Sequence, residues 1–286
     1  TIAVTPEEGS LTSAVETAKA GDIISLSPGD YVVRKFLKID KPLTFQAEGE
    51  VNLTFERTTL FEILNGGSLQ IQGLNISGKS APDNAGNSVI RTSPYSMLEN
   101  YRLEIMDTNF TEMNVNHSFN IISVSKGTFA DNIAIRNSSF KDVTGAILKL
   151  DKETDDYGTY NAEYLTILNS DFESVQGSIV DYYRGGTDES TFGPHFNLKN
   201  SSLTNVGSGK RNKTDSSLYL QGVQVTNISN NTFDGVEPFL IKHTVGEPKT
   251  KIFKNTFKDT PAPVVVELNS GLEPTALITD NEGLNR

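Results

Sequence analysis

Cysteine and tryptophan are absent from this 286-residue chain, and histidine occurs three times. Without cysteine no disulfide staples the fold, although that absence leaves the compartment open. No apolar run approaches the ~18 residues that a membrane-spanning helix needs. The chain opens with neither a recognisable secretory leader nor an initiator methionine, and reads as a mature form or a piece cut from something longer. Basic residues are the minority: 25 Lys and Arg face 36 Asp and Glu, for a formal net charge of −11. That balance disfavours nucleic acid and anionic membrane as general partners, but leaves room for a polyanion in a locally basic groove. Metal-ligand spacing is also missing. His117, His195 and His243 are far apart in sequence. The acidic run Asp151, Glu153, Asp155, Asp156 lacks the Gly and terminal Glu of an EF-hand and reads as a solvated loop.

What the chain does have is a repeat. IAIRNSSFKDV (133–143), LTILNSDFESV (165–175), FNLKNSSLTNV (196–206) and TNISNNTFDGV (226–236) are variants of one phrase, with looser copies at 103–113 and 251–260. Each holds two apolar residues five positions apart: Ile105/Phe110, Ile135/Phe140, Ile167/Phe172, Leu198/Leu203, Ile228/Phe233 and Ile252/Phe257, with Leu69/Leu74 upstream. The second members step by 30, 32, 31, 30 and 24 residues. A period near 30 implies a solenoid, propeller or helical array. Between the marks lie short β-branched runs with Asn, Gly and Ser rather than 3.6-period stripes, so helices are disfavoured. Propeller blades need about 40 residues. Three short strands per turn fit an all-β, single-stranded right-handed parallel β-helix, its coils stacked ~4.8 Å apart, with about ten coils making a rod near 50 Å.

Stacking also accounts for an Asn recurring at one turn, since its amide can bond the Asn above and below. The sequons at Asn52, Asn75, Asn109, Asn137, Asn200 and Asn230 are then turn asparagines at one phase of the repeat, with glycan acceptors as the alternative. Residues 10–21 read as a capping helix over the first coil, with a Ser/Thr N-cap, Leu11, Ala14, Val15 and Ala18 on one face and a stop at Gly21; coils fill 22–286. The C-terminal end shows no such cap.

A second strand lies between successive marks: 88–91, 121–125, 146–151, 178–183, 217–221, 239–243 and 264–268. With Leu148, Leu150, Val180, Tyr182, Leu218, Leu220 and Ile241 inward, the outward row is Arg91, Ser123, Lys149, Asp151, Asp181, Tyr183, Tyr219, Gln221, Lys242 and Glu267. Arg184 and His243, which close two of these strands, join the groove candidates. Long insertions precede the row (78–88, 207–216) and follow it (151–160, 184–194), which implies a cleft between two walls. Tyr183 and Tyr219 suit stacking on sugar rings, while Lys149, Arg184 and Lys242 suit carboxylates. Lys210, Arg211 and Lys213 read as a loop tip or a further hold on a polyanion. The stretch DYYRGGTDESTFGP (181–194) leads from floor to wall. Its Asp188, Glu189 and Ser190 either orient Arg184 for a ligand or clasp it, and the acidic balance favours the clasp, with a carboxylate of this loop or of 151–156 as the partner.

The opening SAVETAKAGDIISLSPGDYVV (13–33), the repeated phrases and RGGTDESTFGP resemble polysaccharide lyase family six, which holds alginate lyases and chondroitinase B. The chain is most similar to the second, C-terminal β-helix domain of the two-domain alginate lyases. The resemblance implies β-elimination at a uronic acid. A cation neutralises the carboxylate, a lysine takes the C5 proton and an arginine assists the leaving group. The family's catalytic domain sets closely spaced acidic calcium ligands just before the lysine. Here VTGAIL precedes Lys149, without a carboxylate pair. Lys149 and Arg184 are therefore only fallback catalysts. The resemblance implies one domain (1–286) of a longer, secreted or periplasmic bacterial protein, an accessory β-helix beside a catalytic one. Alginate is its acidic polysaccharide partner, a homodimer is admitted, and no cofactor is expected in this domain, calcium belonging to the catalytic one. A self-sufficient lyase and a non-enzymatic structural or adhesive β-helix are the rival readings.

Overall fold

Like residues stack on like. The computed structural model describes residues 1–93, 99–153, 161–185, 193–244, 246–268 and 275–284. In it Ile105, Ile135, Ile167, Leu198, Ile228 and Ile252 lie opposite one another along one parallel ladder. Phe110, Phe140, Phe172, Leu203, Phe233 and Phe257 line a second. All are buried. Phe110, Phe140 and Phe172 stack face to face, with centroids 4.7 and 4.9 Å apart. Upstream the expectation is corrected: Ile105 pairs with Ile71 and Phe110 with Ile76, whereas Leu69 lies opposite Leu103. A slip of two residues keeps the same face inward, so periodicity could not separate Leu69/Leu74 from Ile71/Ile76.

A separate nine-stranded sheet takes the remaining strand of each repeat, from Leu37–Ile39 to Val264–Glu267. It includes all seven segments expected from sequence, plus Leu37–Ile39 and Thr59–Ile63. The latter is buried at every position and shows no alternation to read. Pairing is parallel in all three ladders, and one apolar cluster running from Val4 to Phe257 fills the interior. The chain is thus all-β with parallel sheets.

The cap helix is shorter than expected, Ser10–Thr17, and buries Leu11, Ala14 and Val15. Its N-cap is Gly9 at φ 74°, without a side-chain cap bond, and Ala18 is already extended. Gly21 lies beyond the helix, its N–H donating to Pro42 O. A strand before the helix, Ile2–Val4, pairs with Ile23–Leu26 and had no sequence signal beyond three residues.

The repeated asparagines divide into two roles. Asn137, Asn169, Asn200 and Asn230 recur because the turn needs a left-handed residue, with φ between 51 and 58°. Amide ladders form elsewhere. On the surface Asn75 Nδ2 donates to Asn52 Oδ1 (3.2 Å) and Asn109 Nδ2 to Asn75 Oδ1 (2.9 Å). In the interior the ladder runs one residue after the left-handed position. Backbone N–H groups of Thr108, Ser138, Ser170, Ser201, Asn231 and Asn255 each donate to the side chain one repeat on, at Ser138, Ser170, Ser201, Asn231, Asn255 and Asn281.

Candidate functional site

The outer face of the nine-stranded sheet carries one register row: Lys38, Glu62, Arg91, Ser123, Lys149, Asp181, Tyr219, Leu240 and Val264. Beside it run Tyr183, Gln221, Lys242 and Val266. Leu148, Leu150, Val180, Tyr182, Leu218, Leu220 and Ile241 are all buried, as alternation requires. Sequence reading therefore placed Arg91, Lys149, Asp181, Tyr183, Tyr219, Gln221 and Lys242 on the correct face.

Four expected members do not belong to it. Arg184 is 3% exposed, because alternation that turns Tyr183 out turns Arg184 in. Its backbone bridges Glu153, itself buried, whose Oε1 accepts the Gly127 N–H at 2.6 Å. His243 is buried by the same alternation after Lys242. Glu267 lies opposite His243 rather than Lys242, so its carboxylate turns toward that ring. Asp151 leaves the row. Lys149 faces Asp181, but Glu153 faces Arg184, so the chain holds one extra residue between them. The exposed Asp151 carboxylate accepts the Lys126 N–H at 3.3 Å. The carboxylates expected to clasp Arg184 from residues 186–192, and Asp155 and Asp156, lie outside the described residues.

The row satisfies much of itself. Lys149 Nζ is 2.5 Å from Asp181 Oδ2. Arg91 grips Glu62 Oε2 through Nε (2.8 Å) and Nη2 (2.5 Å), with its guanidinium 5.0 Å from the Phe36 ring. Lys242 Nζ lies 5.2 Å over Tyr219 and Lys152 Nζ 5.3 Å over Tyr183, each covering one face of a ring suited to a sugar. Tyr219 donates its hydroxyl to Gln221 Oε1 at 2.6 Å. Burial, then the negative charge of Asp181 and then Tyr183, raise the Tyr219 pKa, so the hydroxyl remains a donor.

His243 holds the inner layer. Its Nε2 is 2.8 Å from Thr250 Oγ1, and Nδ1 is 3.6 Å from Glu267 Oε2. Burial lowers its pKa below the ordinary 6.5, outweighing the opposing pull of Glu267. The folded state thus binds this proton less readily than the unfolded chain. The stability so held is fully present above pH 6.5 and declines as pH falls through that value toward the folded pKa. His243→Gln should lose this component, flattening urea midpoints measured between about pH 8 and about pH 5. An equally steep decline in the variant would place the pH dependence elsewhere.

No cluster of three or more His, Asp or Glu side chains suited to a metal occurs among the described residues. Those of the 151–156 run that are described, Asp151 and Glu153, accept the consecutive backbone N–H groups of Lys126 and Gly127.

On the flank before the row lies a cleft of about 570 Å³ lined by His117, Asn120, Lys149, Gln176, Asp181 and the loop Gly209–Lys213. Both preceding insertions reach it, the first through Ala85. The opposite wall falls largely in residues 154–160 and 186–192, outside the described residues. Asn120 and Gln176 went unnoticed in sequence, and His117 was weighed only as a metal ligand. His117 and Gln176 sit in bends and Asn120 opens the strand Asn120–Val124, and only their alignment with the long loops gives them a role.

Neither protein-family models nor curated proteins give a match to the chain. Solved structures do. A structure of the PL6 family alginate lyase AlyGC matches at 44% identity and a TM-score of 0.96, covering 99% of this chain and 39% of that one. A second structure, of an AlyGC point mutant, matches at 43% with the same score and coverage. The chain therefore spans about two fifths of the length of these relatives. The PL6 family polysaccharide lyase Pedsa3628 from Pseudopedobacter saltans shares the fold at 18% identity and a TM-score of 0.51, covering 91% of this chain and 64% of that one.

Proposed function

The chain belongs to the PL6 polysaccharide lyase family, and from that premise we propose that it is a non-catalytic β-helical domain of an alginate lyase. Its three ladders close into a right-handed parallel β-helix of about ten coils, which shapes the enzyme, docks against a catalytic neighbour and contacts the acidic polysaccharide. The observation that carries this reading is the state of the two residues nearest to a lysine–arginine pair. Lys149 and Arg184 lie on adjacent repeats. Yet Lys149 Nζ is committed to Asp181 at 2.5 Å, and Arg184 is 3% exposed on the inner side of its strand. A base and a leaving-group assistant must both meet the same sugar.

Coverage of two fifths of the relatives supports placing the elimination machinery, and any calcium it uses, on the neighbouring domain. Secretion and a homodimer belong to the same reading. No helix among the described residues is long and apolar enough to cross a membrane.

The test is turnover by the purified chain. Incubated with alginate or chondroitin, it should produce no unsaturated-uronate absorbance. Product formation that disappears in Lys149→Ala would replace this reading with that of a self-sufficient lyase.

A further inference from the structure

We infer that the cleft beside Lys149 binds a strand of carboxylate-bearing glycan, and that the 207–216 loop supplies its cations. Three positive side chains, Lys210, Arg211 and Lys213, stand within four residues of one another and are exposed. None forms an ion pair among the described residues. Such a concentration is out of keeping with a chain of net charge −11. Among the residues lining the cleft, Asp181 is the one carboxylate, and Lys149 already neutralises it. The remaining charge is positive.

The loop is held rather than loose. Asn212 Nδ2 donates to both Gly207 O and Ser216 O at 2.8 Å, and its Oδ1 accepts the Thr214 hydroxyl at 2.9 Å. Thr214 Oγ1 lies 2.7 Å from Ser178 Oγ on the preceding repeat. Gly209 N–H donates to Gln176 O, and a Cβ at Gly209 would come 2.7 Å from Gln176 Cβ, so the loop is seated as closely as a glycine permits. The cations project from a fixed backbone, and little ordering remains to oppose binding.

The lining names the ligand class. Among the described residues no Phe or Tyr lines the cleft, so recognition rests on charge and hydrogen bonds. Gln176, Asn120 and Ser118 suit hydroxyls, and Arg211 offers a planar fork to a carboxylate. The lining residues come from successive repeats, each ~4.8 Å from the next, so the cleft runs along the stacking direction. An extended polymer with regularly spaced carboxylates matches that geometry. Choosing a uronate glycan among such polymers rests on the family reading.

The test is calorimetric titration of the full chain with alginate oligosaccharides at low salt. Wild type should bind, and binding should weaken as salt rises. The combined variant K210Q/R211Q/K213Q should lose at least about tenfold in affinity with an unchanged Tm. Asn212→Ala, which keeps every cation but frees the loop, should lose less. Lys19→Glu, a charge reversal in the first repeat, should change nothing. No binding by wild type, equal affinity in the triple variant, or equally tight binding of a neutral oligosaccharide or single-stranded nucleic acid would each overturn the assignment. Turnover is read separately: a chain that cleaves refutes the accessory role without touching this result, and a chain that neither cleaves nor binds refutes the cleft alone.

Discussion

Ile167→Asp is expected to abolish most of the stability of the chain. Ile167 is fully buried between Ile135 and Leu198, its neighbours in the ladder. A carboxylate there meets only apolar side chains from the repeats above and below. It must either ionise in a low-dielectric interior or take up a proton at neutral pH, and both are unfavourable by several kcal/mol. Losses above about 4 kcal/mol are rare for single substitutions and arise from this kind of buried, unpaired charge. A domain held by roughly 5 to 15 kcal/mol has little to spare. Stacked repeats draw their stability from contacts with their neighbours, so the damage reaches two interfaces at once. Ile167→Val, removing one methylene, should cost only about 1 kcal/mol. Urea unfolding followed by circular dichroism checks both. A wild-type midpoint for Ile167→Asp would mean that the ladder register is wrong.

The same ladder shows why the fold was readable. An apolar pair repeated every 30 or so residues leaves a signal in the sequence because each copy must fit on the one before it. Individual side chains are set by local alternation, and there the reading depended on knowing where each strand ends. Arg184 and His243 joined the groove candidates as the residues that close strands whose outward row faces the cleft. One residue further along a strand reverses the face, and both are buried. Glu267 failed through register alone, since Val264, not Glu267, continues the row from Leu240. The asparagines were harder still. One residue type serves two needs here, a left-handed turn at Asn137 and Asn200 and an amide ladder at Asn52, Asn75 and Asn109, and composition cannot tell them apart.

A cleft between the insertions was expected, but the weight of its lining residues was hard to read for a related reason. Lys149, Tyr219 and Lys242 drew notice because they stand on a strand between loops, yet ion pairs, a hydrogen bond and cation–ring contacts occupy them. Lys210, Arg211 and Lys213 read either as a loop tip or as a further hold on a polyanion. Their significance comes from Asn212, which ties the loop to itself, and from Gly209 and Thr214, which seat it on the preceding repeat, and no local pattern announces those contacts.

Asn255→Ala should be the second most damaging of the changes considered, at about 2 to 4 kcal/mol. Asn255 is 1% exposed and closes a buried ladder in both directions. Its Oδ1 accepts the backbone N–H and the Nδ2 of Asn231, each at 3.0 Å. Its own Nδ2 donates to Ile228 O and to Asn281 Oδ1, both at 3.0 Å. Alanine leaves the Asn231 N–H facing an apolar void, and an unsatisfied buried donor costs about 1 to 3 kcal/mol by itself. Earlier repeats show what a partial replacement achieves. At Ser138, Ser170 and Ser201 a hydroxyl accepts the N–H of the repeat before and donates to a carbonyl two residues back in its own turn. Serine thus satisfies the N–H but does not reach the carbonyl of the preceding repeat, as the Asn231, Asn255 and Asn281 amides do. Asn255→Ser should therefore recover about half of the loss seen with alanine, because only the bond to Ile228 O and the amide contacts remain missing. Urea midpoints for wild type, Ala and Ser should fall in the order wild type, Ser, Ala. Equal midpoints for all three would show that the ladder contributes nothing to stability. Serine no better than alanine would show that the carbonyl bond, and not the N–H acceptor, is what the last repeats depend on.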